Sequence, residues 1–227
     1  MSSTAFVIAV FEFVLLIFSL SFHECAHAWT ASRLGDQTAR LQGRVTLNPI
    51  YHVDPIGTLL FPALMIFGSA LGMGQFLIGW AKPTPVTTRN FRNIVRDDSL
   101  VTLAGPASNL LLAACGFLGL VAIILSTRNL PSQQNALNSG IDALALLCEL
   151  AIQVNLALFI FNLLPIPPLD GSRVVRHFLP YNALRAYDNI GIFSYLLMIF
   201  VGAPVVRFFL GPAMNLIYSV LQRLQAG

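Results

Sequence analysis

Residues 21–30 read Ser-Phe-His-Glu-Cys-Ala-His-Ala-Trp-Thr, and they close an apolar run that begins near Ala5. Two histidines and a glutamate are costly there, because ionisable groups in hydrocarbon lack water partners. On a helix, positions i and i+4 share a face. His23 and His27 therefore offer two imidazole nitrogens to one metal ion. Glu24 stands beside them without competing as a ligand, the spacing used by zinc hydrolases. Cys25 lies about 200° around the helix from His23 and is excluded as a ligand. The plainer alternative is a structural histidine pair capped by Glu24.

The rest of the chain sets the environment of that segment. Of 227 residues, 56% are hydrophobic and only 10% charged, and mean hydropathy is +0.73. A soluble domain carries about 25% charged residues, so the composition predicts an all-α polytopic membrane protein: one integral domain over 1–227, with a core from about 5 to 175. A dispersed net charge of +3 excludes a nucleic-acid-binding surface. Cys25, Cys115 and Cys148 all lie in apolar segments, which argues against a disulfide framework. The N-terminus lacks a basic leader and a small-residue cleavage site, and reads as an uncleaved span.

Apolar runs cover 5–29, 56–80, 100–126, 141–164 and 190–221, each long enough for the ~20 residues that cross a bilayer. The last is interrupted by Gly202-Ala203-Pro204, and reads either as one span plus an interfacial helix or as two short spans. About five to six membrane segments result. Loops 31–54, 81–99 and 171–187 hold ten of the 13 Lys and Arg residues, and basic loops stay cytoplasmic. All three share a side only if 56–80 enters and leaves by the same face. Its Pro62, Gly68, Gly72, Gly74 and Gly79 suit a re-entrant hairpin, tolerated where protein buries it. Residues 79–86, including Lys82-Pro83-Thr84-Pro85, then form a short extended return near the site. The N-terminus is expected outside and the site toward the cytoplasm of a prokaryotic plasma membrane.

A zinc site needs a third protein ligand. Asn162-Leu163-Leu164-Pro165-Ile166-Pro167-Pro168-Leu169-Asp170-Gly171 ends the fourth run. Its prolines stop the helix and force extended backbone, and Asp170 becomes a fixed, non-helical carboxylate at the mouth of a span. In the topology above, His23, His27 and Asp170 reach the same side. A full crossing by 56–80 would separate them.

At these residues the chain resembles the site-2 protease family, zinc metalloproteases that cut substrates within the membrane. His23 to His27 matches His-Glu-x-x-His. Residues 162–171 match Asn-x-x-Pro-x-Pro-x-Leu-Asp-Gly at every specified position, and Gly105-Pro106-Ala107-Ser108-Asn109 resembles the middle-helix Gly-Pro-x-x-Asn element. The likeness is to compact members without PDZ or CBS domains. One departure is that the signature lies in the first apolar run, whereas many relatives carry a span before it. The resemblance implies one Zn2+ per chain on His23, His27 and Asp170, with Glu24 as general base. It implies an endopeptidase acting on transmembrane protein or peptide substrates within the lipid bilayer.

Asn109 and Asn162 are candidates to stabilise the oxyanion or clamp the substrate backbone. His52 either reaches the zinc region as a supporting donor or is a loop histidine at the headgroups. Residues 79–86 could pair with an unwound substrate by strand addition. Glu149, Gln153 and Asn155 are expected to hydrogen-bond between helices. Readings from other classes are a catalytically inactive zinc-binding scaffold, disfavoured by Glu24, and a metal transporter, disfavoured by the nearly bare outer halves of the spans.

Overall fold

The computed structural model describes residues 3–70, 80–127, 135–191 and 193–226. Among these, every regular element is helical and there is no strand. Four helices are long and apolar enough to cross a membrane: Thr4–Leu34, Ile94–Thr127, Gly140–Asn162 and Phe200–Gln225. A shorter apolar helix covers Pro55–Gly68. The chain is thus an integral membrane protein by the length and composition of its helices.

Helix α1 (Ser3–Leu34) carries the histidines. A short α2 (Thr38–Leu41) follows, then a π-helical turn Pro55–Leu60 that runs into α3 (Phe61–Ala70). Asp54 caps this turn, accepting from the N–H groups of Ile56 and Gly57. The two ends of run 56–80 lie side by side. Trp80 N–H donates to Gly57 O at 3.0 Å and Lys82 N–H to His52 O at 2.8 Å. The indole of Trp80 fills the space over Gly57, where any Cβ would collide with it. The expected return limb, residues 71–79, lies outside the described residues. Residues 80–87 carry no regular structure.

Helix α4 (Ile94–Thr127) starts at a reciprocal cap. Asn93 Oδ1 accepts from Arg96 N–H while Asp97 Oδ2 accepts from Asn93 N–H, so two orphan donors of the first turn are satisfied. It packs closely on α5 (Asn135–Asn162). A Cβ at Gly116 would meet Cys148 O and Ile152, and one at Gly119 would meet Cys148 Sγ. Small residues at such crossings let backbones approach and gain dispersion contacts where lipid supplies no hydrophobic drive.

Helices α6 (Asp170–Arg176) and α7 (Tyr181–Asp188) follow. Residues 193–226 form one helical path: α8 (Phe193–Leu197), a π turn Met198–Gly202 and α9 (Ala203–Ala226). Pro204 therefore does not break the chain into two elements. Proline lacks the N–H for an i−4 bond and its ring crowds that carbonyl. A π turn widens the helix just before it, and the same pairing occurs at Pro55–Leu60 before Pro62.

Apolar contacts fix these elements. Ala9, Leu16, Ile66 and Leu158 join α1, α3 and α5. Leu120, Ile152, Met214 and Leu221 join α4, α5 and α9. Interhelical polar contacts add to them: Tyr218 Oη donates to Glu149, and Gln153 Nε2 donates to Tyr218 Oη at 3.3 Å. All three cysteines are free.

Candidate metal centre

The one-turn spacing of His23 and His27 on α1 puts both imidazoles on the face that meets α4. Their Nε2 atoms stand 3.0 Å apart. Asp170 Oδ2 approaches them at 3.0 Å and 3.3 Å. A tetrahedral site with metal–donor distances of about 2.0–2.1 Å has donor–donor edges of roughly 3.3 Å, so these separations suit three corners of one tetrahedron. Asp170 Oδ2 is also fully buried without a hydrogen-bond partner. Burying such an oxygen is unfavourable unless something compensates it. The three residues can hold a metal ion.

The far side of each imidazole is held. His23 Nδ1 pairs with Asn109 Oδ1 at 2.6 Å and His27 Nδ1 with Val101 O at 2.7 Å. Both partners are oxygen acceptors, so each Nδ1 carries the proton and each Nε2 presents its lone pair. Asn109 Nδ2 in turn donates to Asn155 Oδ1 at 3.0 Å, and Asn155 Nδ2 to Ala151 O at 2.9 Å. This relay ties α1 to α4 and α5. Gly105 completes the cradle, since a Cβ there would run into the Nε2 atoms of both His23 and His27.

Asp170 arrives differently from expectation. It is the first residue of α6, preceded by extended Leu169 (φ −65°, ψ 157°). Gly171 lets this turn lie against the end of α5, where a Cβ would strike Leu163 O and Leu164 O. Helix α6 is clasped to α4 by buried Asp98, which accepts from Arg173 at 2.8 Å and pairs with His177 Nε2 at 2.9 Å.

Glu24 is buried beside the donors. Its Oε2 accepts from Thr84 N–H at 2.8 Å, and Thr84 Oγ1 donates to Glu24 O at 3.1 Å. A cavity of about 470 Å³ opens from this centre; Leu16, Leu20, Leu158, Phe161 and Met198 form its apolar wall. Asn162 lines it too, with Nδ2 bonded to Leu158 O at 2.9 Å. Asn109 is fully buried and both ends of its amide are engaged. His52 is buried, bonds Thr46 O at 2.8 Å through Nε2, and does not line the cavity. Residues 80–87 offer little edge for strand addition. Pro83 and Pro85 have no N–H, and the N–H groups of Lys82 and Thr84 are already bonded.

Sequence reasoning passed over Gly105 as a cradle, the Asp98 clasp and Thr84. The Gly105-Pro106 element was the available signal for the first. The other two are contacts between residues 60 or more positions apart.

Comparison with known proteins places the chain. The model of peptidase family M50 matches residues 123–203, which include the Asp170 segment. "Putative zinc metalloprotease YwhC" of Bacillus subtilis is 38% identical over 204 residues, covering 89% of this chain and 84% of that protein. "Putative zinc metalloprotease Rip2" of Mycolicibacterium smegmatis is 34% identical over 89% of this chain and 69% of its own length. Its namesake in Mycobacterium tuberculosis is 31% identical over 85% and 67%. No solved structure matches the chain. Similarity that runs through nearly the whole chain, and through most of each relative, extends beyond the short motifs: this protein belongs to peptidase family M50, the site-2 protease family of zinc metalloproteases.

Proposed function

We propose that the protein is a zinc-dependent endopeptidase that hydrolyses peptide bonds of membrane-spanning substrates near the cytoplasmic face. The observation that carries this reading is the convergence of His23 Nε2, His27 Nε2 and Asp170 Oδ2 to about 3 Å from one another beside Glu24. These three residues would hold one zinc ion. When bound, zinc acts as a Lewis acid that polarises the scissile carbonyl and makes water acidic enough to react near neutral pH.

The chain's own groups do the rest. Glu24 takes the proton from water and returns it to the leaving amine. Asn109 orients His23, and Val101 O orients His27. Asn162, on the cavity wall, is placed to bind substrate backbone. The apolar wall excludes water and receives the side chains of an unwound transmembrane segment. A helix hides its amides, so the substrate must open to be cut.

Topology supports the same reading. The adjacency of residues 52–57 and 80–82 fits a re-entrant segment, with the N-terminus outside and the site toward the cytoplasm of a bacterial plasma membrane. The domain is a single unit over 1–227.

The test is the wild type against Glu24→Gln, purified in detergent, with zinc per chain measured and a panel of single-span substrates offered. The expected result is equal zinc and loss of cleavage in the variant. A variant that still cuts would remove Glu24 from the reaction.

A further inference from the structure

The segment Lys82-Pro83-Thr84-Pro85 is built as a rigid bracket, and it presents one backbone amide to the Glu24 carboxylate. Proline fixes its own φ near −65° and pushes the preceding residue to extended backbone. Lys82 and Thr84 both precede prolines, so the whole stretch is stiff. Pro83 and Pro85 carry no N–H, which leaves Thr84 as the one backbone donor from 83 to 85.

Both ends of the bracket are anchored. At one end, Trp80 N–H bonds Gly57 O and Lys82 N–H bonds His52 O. Arg44, itself buried, donates to Tyr51 O and, at 3.4 Å, to Lys82 O. At the other end, Thr87 N–H donates to Asp36 Oδ2 at 2.7 Å and Asn90 Nδ2 to Asp36 Oδ1 at 2.8 Å. Asp36 is fully buried at the end of α1. Between these anchors Thr84 meets Glu24 twice, by its N–H on Oε2 and its hydroxyl on the Glu24 carbonyl. Glu24 Oε1 makes no hydrogen bond among the described residues.

We infer that the Thr84 backbone N–H is a positioning donor: it holds Glu24 Oε2 and so reserves Oε1 as the oxygen that takes and returns the proton. The inference rests on the reading of Glu24 as the proton carrier. A glutamate side chain has three rotatable bonds, and an unrestrained carboxylate next to three metal donors can turn in as a fourth. One donor on Oε2, fixed at both ends of its own segment, opposes that rotation.

Two variants isolate the amide. Thr84→Pro removes the N–H and retains extended backbone; Thr84→Val retains the N–H, and both lose the hydroxyl. With equal zinc per chain, kcat of the proline variant should fall roughly 10- to 100-fold below that of the valine variant, since misplacing a catalytic group by about 1 Å costs up to ~100-fold. KM should agree between the two within about 3-fold, because the donor acts on the proton carrier and not on substrate binding. Equal kcat values would overturn the inference.

Amide hydrogen exchange over residues 80–87 gives a readout independent of activity. The Thr84 amide should be slowed at least ~10-fold in the wild type and released in Glu24→Ala, with Lys82 and Thr87 still protected. An unprotected Thr84 amide in the wild type would overturn the inference even if Thr84→Pro does not fold. Cleavage retained by Glu24→Gln removes Glu24 as the proton carrier, the reading on which the Thr84 role rests. An inactive, zinc-loaded Glu24→Gln alongside equal Pro and Val variants sinks the Thr84 role alone.

Discussion

Gly105→Ala adds one methyl group on the face of α4 that covers the proposed zinc ligands. The new Cβ would fall on the Nε2 atoms of His23 and His27, closer than real Cβ atoms come to anything. The imidazoles have nowhere to go. Their Nδ1 atoms are held at 2.6 Å and 2.7 Å by Asn109 and Val101 O, and His27 sits edge-on to His23 with ring centroids 4.6 Å apart. Either the rings swing off their partners or α4 retreats from α1. Overpacking of this kind costs about 1–3 kcal/mol. If the strain is relieved by giving up the donor geometry, that cost appears as zinc affinity. At 1.4 kcal/mol per tenfold, it corresponds to roughly 5- to 150-fold weaker binding. The assay is competition for zinc against a chromophoric chelator in detergent, with circular dichroism to verify retained helix. Wild-type zinc affinity in a folded Gly105→Ala protein would refute the cradle.

Other expectations follow from neighbouring contacts. Asn109→Ala removes the acceptor for His23 Nδ1 and should lower zinc affinity by about 10–100-fold, read by the same competition. Asp98→Ala leaves Arg173 and His177 without their shared acceptor. Arg173 is part-exposed, so the loss should be about 1–3 kcal/mol, seen as a lower thermal midpoint with zinc content falling as α6 loosens. Asp36 gives a pH dependence with a definite sign. Burial raises its pKa, but donation from Thr38, Thr87 and Asn90 outweighs this and leaves it below 3.8. A carboxyl whose folded pKa is depressed contributes stability above its unfolded pKa and loses it as pH falls through the folded value. The thermal midpoint of the wild type should therefore drop more steeply below about pH 4 than that of Asp36→Asn; parallel curves would remove Asp36 from the anchor.

What could be read directly from the residues is what depends on short range. An apolar run of 25 or more residues has to pair its backbone internally in lipid, so it becomes a helix, and α1, α4 and α5 lie where composition places them. The spacing of His23 and His27 fixes their common face on any helix. The proline-rich exit from α5 marks Asp170 as unusual before any fold is known. The C-terminal run was ambiguous because a proline after glycine is the signature of a break, and only packing against α4 and α5 shows that a π turn absorbs it.

Local pattern was enough for the membrane-length helices α1, α4 and α5, for the shared face of the two histidines and for the family motifs. Tertiary structure alone decided which groups surround that face: Asn109 and not His52 on His23, Gly105 over both rings, Asp98 behind α6, and the Thr84 amide on Glu24. Each of these joins residues from 60 to 86 positions apart, and no periodicity or propensity encodes such a pairing. It exists only once close helix packing has spent the conformational freedom of the chain.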